Sequence, residues 1–174
     1  NLPLSSQTGW AQDFLDMQFV DQNNGWVVGE EGKIAKTTNG GLSWIKINSQ
    51  TIKKIKSVFF IDTNCGWFCG DGIVSKSTNG GSEWNTLINN DEYFESIFFI
   101  DSLNGWMVGS QLYTTIDGGN TWTTHYIAYG WFSNIQFLDL NTGWVAGTGI
   151  YKTSDGGNSW ECQYEPSSIT DIFF

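Results

Sequence analysis

The chain has 174 residues, of which 16% are aromatic and 15% charged, with 21 glycines and 2 prolines. Eighteen acidic residues against eight lysines and no arginine give a formal net charge of −10. This acidity argues against nucleic acid and anionic membrane surfaces as partners. No apolar run approaches the roughly 20 residues of a membrane span, so we expect no membrane insertion.

The sequence begins at Asn1 without an initiator methionine. We take this to indicate a removed signal peptide, and expect an extracellular or periplasmic location. Three cysteines do not provide a disulfide framework. Cys65 and Cys69 would lie about 13 Å apart on one strand, beyond the reach of a disulfide bond. With a single histidine in the chain, we predict no metal site and no cofactor.

The chain divides by sequence pattern into four repeated units with a short segment at either end. Residues 1–5 predict a strand of a flanking or ring-closing blade, and residues 169–174 repeat the opening of a unit and predict another. The four units cover approximately residues 15–48, 55–88, 94–127 and 132–165. Each is expected to contain four strands, which in the first unit are residues 15–20, 25–29, 33–38 and 43–48.

The first strand of each unit ends at an aspartate and is apolar on both faces. A phenylalanine lies two positions before the aspartate, and aliphatic residues or methionine lie four positions and one position before it. Such a strand is buried on both sides, which fits a position between neighbouring sheets. The aspartates are Asp21, Asp62, Asp101 and Asp139.

The loop after each of these aspartates resembles part of a calcium-binding loop, D-x-N-x-G. A complete EF-hand loop needs further acidic ligands and a later glutamate, and none follows here. We therefore predict that the four aspartates cap turns, with a weak Ca²⁺ site as the alternative.

A Gly-Trp pair opens the second strand of every unit. Its tryptophans are Trp26, Trp67, Trp106 and Trp144, at intervals of 41, 39 and 38 residues. A fixed period of this size is typical of stacked or radial repeat folds. Eight of the ten tryptophans lie either here or at the end of the turn motif described next, so we predict that these eight form the repeat core.

A turn motif joins the third and fourth strands of each unit. Its copies are TTNGGLSW (37–44), STNGGSEW (77–84), TIDGGNTW (115–122) and TSDGGNSW (153–160). Asn-Gly and Asp-Gly supply the positive φ angles of a tight hairpin turn. Because two of the four residues before the glycine pair cannot ionise, we predict a turn-stabilising role and no catalysis for this position. These residues are Asn39, Asn79, Asp117 and Asp155.

The connection from the fourth strand of one unit to the next unit varies most among the repeats. It contains the two tryptophans outside the repeat positions, several other aromatic residues and the histidine. Exposed aromatic rings on a polar rim are typical of sugar stacking or a protein interface, and packing between blades is the alternative. The candidate ligand-binding residues are Trp10, Tyr93, His125, Tyr126, Tyr129 and Trp131.

Helical periodicity is absent, and the repeated NG, DG and GG pairs would break any helix. Four-stranded units arranged radially form a β-propeller, which typically has four to eight blades. We therefore predict an all-β fold: a β-propeller of four-stranded antiparallel blades. Residues 1–174 would form one propeller region, whose four complete repeats make an arc of a larger propeller.

The turn motif resembles the Asp-box, also called the BNR repeat, with Asn39 and Asn79 where that family has Asp. The longer pattern F-x-D-x-x-x-G-W-x-x-G followed by the box is similar to the photosystem II stability and assembly-factor type of propeller repeat. The resemblance extends over all four units. It implies the propeller fold but no single function, because Asp-boxes occur in sialidases, xyloglucan-degrading enzymes, sortilin-like receptors and many secreted bacterial proteins.

An enzymatic role has little support in the residues. Sialidase-like propellers bind the substrate carboxylate with arginines, which lysine does not replace, and this chain has no arginine. A glycosidase needs two carboxylates about 5–10 Å apart, and the spacing of the acids selects no pair. The acids without a match in the other repeats are Asp13, Asp16, Glu30, Glu31, Asp71, Asp91, Glu92 and Glu95.

The sequence therefore favours a non-catalytic, secreted or periplasmic bacterial module that binds a protein or glycan at the variable connections. One alternative is part of a glycan-cleaving hydrolase. Another is an assembly factor for a membrane complex of the photosystem type. The resemblance implies that such factors bind their partners through a basic, arginine-containing patch, which this chain lacks.

Overall fold

The computed structural model describes residues 14–164, which form antiparallel strands joined by turns. The chain divides into two compact units, one ending at Glu92 and the other beginning at Tyr93. Trp10 and the strands predicted at residues 1–5 and 169–174 lie outside the described residues. Within residues 14–164, the structure has no helix long and apolar enough to span a membrane.

The first unit contains two antiparallel sheets. The first sheet has four strands in sequential order, and the second contains β5, β6 and the first part of a long strand, β7. The strands are β1 (Phe14–Phe19), β2 (Gly25–Gly29), β3 (Lys33–Thr37), β4 (Ile45–Asn48), β5 (Ile55–Phe60), β6 (Gly66–Ser77) and β7 (Asn85–Phe99). A short 3₁₀ turn, Glu30–Gly32, joins β2 to β3.

The second unit continues from the second part of β7. This part pairs with β8, which is followed in the sheet by β9 and β10, and the remaining strands form a four-stranded sheet in sequential order. These strands are β8 (Gly105–Gly109), β9 (Leu112–Thr115), β10 (Thr123–His125), β11 (Phe132–Phe137), β12 (Gly143–Gly147), β13 (Ile150–Thr153) and β14 (Glu161–Tyr164). The predicted all-β class with four-stranded antiparallel sheets is confirmed.

Two strands are longer than the sequence pattern predicts. β6 covers the positions of two predicted strands, because they are joined only by a tight bend at Gly72, where φ is +65°. A Cβ atom at Gly72 would lie 2.0 Å from the carbonyl oxygen of Asn90, so the bend requires glycine. β7 also continues through residues 89–93, which were predicted to be a loop, because this segment stays extended with its side chains exposed.

A β-bulge recurs in the first strand of every repeat, just before a polar residue. In the first repeat this residue is Asp16, whose Oδ2 accepts a hydrogen bond from the backbone N–H of Val58 at 2.9 Å. Two residues later, the Gln18 amide exchanges hydrogen bonds with the backbone N–H and carbonyl of Phe60. Side chains of β1 thus join the first sheet to the edge of β5.

Burial of the first strands is uneven. Val58 and Phe60 of β5 are buried, and so are Ile135 and Phe137 of β11, as predicted. The prediction of burial on both faces is wrong for the fourth repeat, where Leu138 on the opposite face is exposed, and for β1, where Met17 is exposed. In the described part of the first unit, no sheet covers the outer face of this strand.

The Gly-Trp indoles link neighbouring sheets within each unit. Trp26 stacks on Phe60 with ring centroids 3.7 Å apart, and its Nε1 donates a hydrogen bond to the Gly80 carbonyl at 3.1 Å. In the second unit, Trp106 stacks on Phe137 at 3.8 Å and donates to the Gly156 carbonyl at 2.8 Å. Each of these indoles therefore holds its own sheet against the glycine-rich turn of the next one.

Only some tryptophans of the predicted repeat core are fully buried. Four of the eight repeat tryptophans are buried and four are half-buried. The buried residues are Trp26, Trp67, Trp84 and Trp106, and the half-buried ones are Trp44, Trp122, Trp144 and Trp160.

Candidate functional site

The glycine-rich turns are fixed by their own side chains. In the first turn, the Asn39 Oδ1 accepts a hydrogen bond from the Ser43 N–H at 2.9 Å, while its Nδ2 donates to the Ser43 hydroxyl at 2.8 Å. The Thr37 hydroxyl oxygen accepts from the Gly41 N–H at 2.9 Å. Asn79, Asp117 and Asp155 accept the equivalent N–H at the same distance.

The two aspartates of these turns are held in their ionised form. The hydroxyl and backbone N–H of Thr121 lower the pKa of Asp117 to about 2, and Ser159 does the same for Asp155. A carboxylate with so low a pKa is a weak base and a poor proton donor near neutral pH. The arrangement supports a turn and leaves no group suited to acid–base chemistry.

The aspartates at the ends of the first strands are also engaged with the backbone. Asp21 Oδ1 accepts from the N–H groups of Asn23 and Asn24 at 2.7 and 2.8 Å, and these bonds lower the pKa of Asp21. Asp62, Asp101 and Asp139 accept the corresponding pairs of N–H groups. Over residues 14–164, no three His, Cys, Asp or Glu side chains come together as metal ligands.

The variable connections lie at the opposite end of the sheets from the glycine-rich turns. In the second unit we define the variable end as Tyr93 with residues 109–111, 125–131 and 147–149. Its segments contact each other closely, since the Thr148 N–H donates to the Trp131 carbonyl at 3.0 Å. A Cβ atom at Gly147 would lie 2.1 Å from that same carbonyl oxygen, and one at Gly109 would lie 2.1 Å from the Tyr93 carbonyl.

Four of the candidate ligand-binding residues form an exposed aromatic group at this variable end. The rings of Tyr93 and Trp131 have centroids 6.4 Å apart at 54°, and both are exposed. Tyr126 is 76% and Tyr129 95% exposed. Between these tyrosines, Ile127 packs against the hydrophobic core of the unit, so the loop is anchored while it presents its rings to solvent.

His125 has a different environment from the tyrosines. Its Nε2 lies 2.9 Å from the Thr114 hydroxyl oxygen on β9, and the ring is half-buried. In the other repeats, a lysine occupies the position of Thr114. The ammonium groups of Lys36, Lys76 and Lys152 lie 4.8–5.3 Å from the ring centroids of Trp26, Trp67 and Trp144. His125 therefore pairs with a residue that breaks the repeat pattern.

Several acids considered for catalysis are ion-paired. The Glu30 carboxylate lies 2.6 Å from the Lys54 ammonium, and the Asp71 carboxylate lies 3.0 Å from that of Lys56. The Glu31 carboxylate lies 3.6 Å from the Lys33 ammonium. Asp13 lies outside the described residues.

Comparison with known proteins finds sequence similarity over part of the chain. A curated relative, the photosystem II assembly lipoprotein Ycf48 of Synechococcus sp. (strain CC9902), is 30% identical over 98 residues, covering 49% of this chain and 29% of the relative. The chain thus spans less than a third of that relative's length.

Three solved structures share the fold. The structure described as YCF48 bound to D1 peptide has a TM-score of 0.69 at 23% identity, and covers 87% of this chain and 54% of its own. An ancestral GH74 enzyme has the same TM-score of 0.69 at 17% identity, covering 84% of this chain and 23% of its own. The WD40 β-propeller domain of Doa1 is also similar, with a TM-score of 0.63 at 14% identity, covering 94% of this chain and 56% of its own. At these identities the likeness concerns the fold alone, and it confirms the predicted β-propeller class.

The family model described as photosynthesis system II assembly factor YCF48 matches residues 5–93, half of the chain. The predicted similarity to the assembly-factor type of repeat is therefore confirmed. The chain belongs to the family of the photosystem II assembly factor YCF48.

Proposed function

We propose that this chain forms part of a non-enzymatic propeller that binds an extended segment of a partner protein at the variable end of the second unit. The observation that carries the proposal is the exposed aromatic group: Tyr126, Tyr129 and Trp131 on the loop anchored by Ile127, with Tyr93 of β7 beside Trp131. Tyrosine and tryptophan dominate binding hot spots because they offer a large contact area at a low cost in conformational entropy.

Family membership supports a polypeptide as the ligand. One solved member of the family is bound to a D1 peptide. This chain has no arginine, so a bidentate guanidinium contact to a carboxylate is not open to it. We therefore expect recognition here to depend on ring stacking and on backbone groups beside Trp131 and Thr148.

We propose more specifically that the protein acts outside the cytoplasm in the assembly of a membrane protein complex. The curated relative is a photosystem II assembly lipoprotein, which supports this role and an extracellular or periplasmic location. The blade boundaries predicted from the sequence belong to the same proposal. They would place Tyr93 and Trp131 beside successive blades.

The glycan-cleaving alternative has weaker support. A general acid in a glycosidase has a raised pKa. The pKa is lowered instead in Asp21, Asp101, Asp117, Asp139 and Asp155. Glu30 and Asp71, two of the acids considered for catalysis, are engaged in ion pairs with lysines. Likeness to a GH74 enzyme at 17% identity supports a shared fold and no shared chemistry.

The test is a selection of binding peptides from a random display library against the full-length protein, followed by titration of the selected peptides. We expect Trp131→Ala and Tyr93→Ala each to weaken binding about tenfold or more, the equivalent of one lost aromatic contact. Phe19→Ala is the control, because Phe19 is an aromatic residue with similar exposure, 39%, but lies on β1 in the first unit.

Unchanged affinity in both variants would contradict the proposal, as would equal weakening by the control. A parallel titration with the D1 peptide tests the proposed role in photosystem assembly. If the D1 peptide binds and its binding depends on Trp131, the photosystem role is supported. If the selected peptides bind tightly but the D1 peptide does not bind, only the photosystem role is contradicted.

A further inference from the structure

We infer that the opposite end of the second unit is a second docking surface, which takes a partner segment with lysine or arginine interspersed among apolar residues. We define this box end as the turns at residues 100–104, 116–121, 138–142 and 154–159. It is independent of the variable end proposed above, because antiparallel strands separate the two sets of turns.

Comparison among the repeats first identifies the surface. Leu103 lies in the turn after β7 and is 54% exposed. In the other three repeats the same position is asparagine, and it is exposed in each: Asn23, Asn64 and Asn141. Since the turn folds with asparagine, folding does not require leucine at this position.

Two more positions of the box end show the same change. Ile116 is 80% exposed where the other repeats have Thr38, Thr78 and Ser154. Leu140 is 50% exposed where the others have Gln22, Thr63 and Ser102. Exposed leucine and isoleucine contribute little to folding, and a cluster of them marks an interaction site.

Hydrogen bonds and a groove bring these positions together at one end of the unit. The Gly118 N–H donates to the Leu103 carbonyl at 2.8 Å, so the turn that carries Ile116 lies directly against Leu103. The groove, of about 690 Å³, is lined by Asp101, Leu140 and Ser154 among others. It therefore connects the turn of Leu103 to that of Leu140.

The negative charge of the box end indicates which kind of partner segment it can bind. The box end carries four carboxylates, Asp101, Asp117, Asp139 and Asp155, all with lowered pKa values and so ionised at neutral pH. The second unit has eight acidic residues and one lysine, whereas the first has ten and seven. The equivalent turns of the first unit carry the neutral Asn39 and Asn79.

A surface that carries both exposed apolar side chains and carboxylates is complementary to a segment with both apolar and cationic side chains. A second copy of this chain would bring like charges together, and an acidic segment would be repelled. The segment that fits this surface is therefore a basic, partly apolar segment of a partner protein.

The test replaces the three apolar residues by those of the other repeats: Leu103→Asn, Ile116→Thr and Leu140→Thr together in the full-length protein. Since each substitute already occupies the same turn position elsewhere in the chain, folding should be retained, and the single variant Ile116→Thr provides a second readout. Leu42→Ser is the matched control, because Leu42 is exposed in a first-unit turn where the second repeat has Ser82.

The probes are three synthetic peptides of equal length, with leucine alternating with lysine, leucine with glutamate, and serine with lysine. We expect the leucine–lysine peptide to bind the original protein. Its affinity should fall about tenfold or more in the triple variant, fall less in Ile116→Thr, and stay unchanged in Leu42→Ser. Raising the salt from about 0.05 to about 0.5 M should weaken it further.

Equal binding of the leucine–glutamate or serine–lysine peptide would overturn the inference, and so would unchanged affinity in the triple variant. Self-association of the protein that the triple variant abolishes would also overturn it, since the occupant would then be a second copy. Trp131→Ala should leave this binding intact, so failure here and failure of the proposed function are distinguishable.

Discussion

At the scale of single residues, the Gly-Trp indoles of Trp26 and Trp106 each serve two purposes. Each ring stacks on a phenylalanine of the next sheet, and each Nε1 donates to a glycine carbonyl in the turn of that sheet. Trp106 shows both contacts in the second unit, with Phe137 and Gly156. Trp122, at the other repeat position, has a buried Nε1 without a hydrogen-bond partner.

This difference gives a matched pair of substitutions. Trp106→Phe should destabilise the protein by about 1 kcal/mol more than Trp122→Phe, because only the first loses a hydrogen bond and leaves a carbonyl unpaired. Both changes remove the same ring volume, and the deeper burial of Trp106 adds to the difference in the same direction. Urea unfolding of both variants measures it, and equal losses would contradict the assignment.

The turn aspartates give a prediction about pH. Because hydrogen bonds lower the pKa of Asp117 and Asp155 to about 2, their contribution to stability is fully present above the unfolded-state pKa of 3.8. It is lost as the pH falls through about 2.

The double variant Asp117→Asn, Asp155→Asn should therefore show a shallower fall in melting temperature between pH 4 and pH 2 than the original protein. Asn39 and Asn79 show that these turns accept asparagine, so the variant should fold. Melting curves recorded across this pH range provide the measurement. Parallel profiles for the two proteins would show that these carboxylates are not the groups that titrate.

At the scale of elements, a small residue is needed where the second strand begins. A Cβ atom at Gly66 would lie 2.4 Å from the Phe60 ring, which itself stacks on Trp26 and meets Trp84 edge-on. The ring is held from both sides and cannot move away.

Gly66→Ala should therefore cost about 1–3 kcal/mol of stability through overpacking. Adding Phe60→Leu should recover part of that loss, because the smaller side chain leaves room for the new methyl group. Chemical denaturation of the single and double variants tests this. If the second substitution only adds to the loss, the proposed clash is not the cause.

Strand positions were predictable where local patterns set them. Alternation of apolar residues and the N-G or D-G turns placed β2 and β3 correctly to within a residue, since both signals are encoded within a few positions. β7 was predicted wrongly at residues 89–93 because no glycine or proline there enforces a turn. The polar sequence suggested a loop, although an exposed strand accepts the same residues.

Contacts between distant residues were less accessible to sequence analysis. The aromatic composition of the variable connections was evident, but not that Tyr93 lies beside Trp131, because this depends on how two successive sheets pack. Leu103, Ile116 and Leu140 were missed as candidates, although comparison of the repeats position by position would have found them. The repeated motif is defined by the residues that its copies share, whereas these three residues are positions at which one copy differs.

At the scale of the whole molecule, each described unit combines a regular interior with two ends that differ in character. Repeated turns and indoles supply the constant scaffold, and the residues that depart from the repeat lie at the ends. The chain covers 54% of the peptide-bound family structure, so other parts of such a propeller can add to either surface. The central claim concerns the variable end of the second unit.

Hydrogen exchange of the full-length protein, with and without a selected peptide, tests this claim most directly. The account predicts slower exchange of backbone amides in residues 125–132 and around Tyr93, with unchanged exchange in the turns at residues 116–121 and 154–159. Protection confined to those turns or to the first unit, or an absence of protection at saturating peptide, would contradict it.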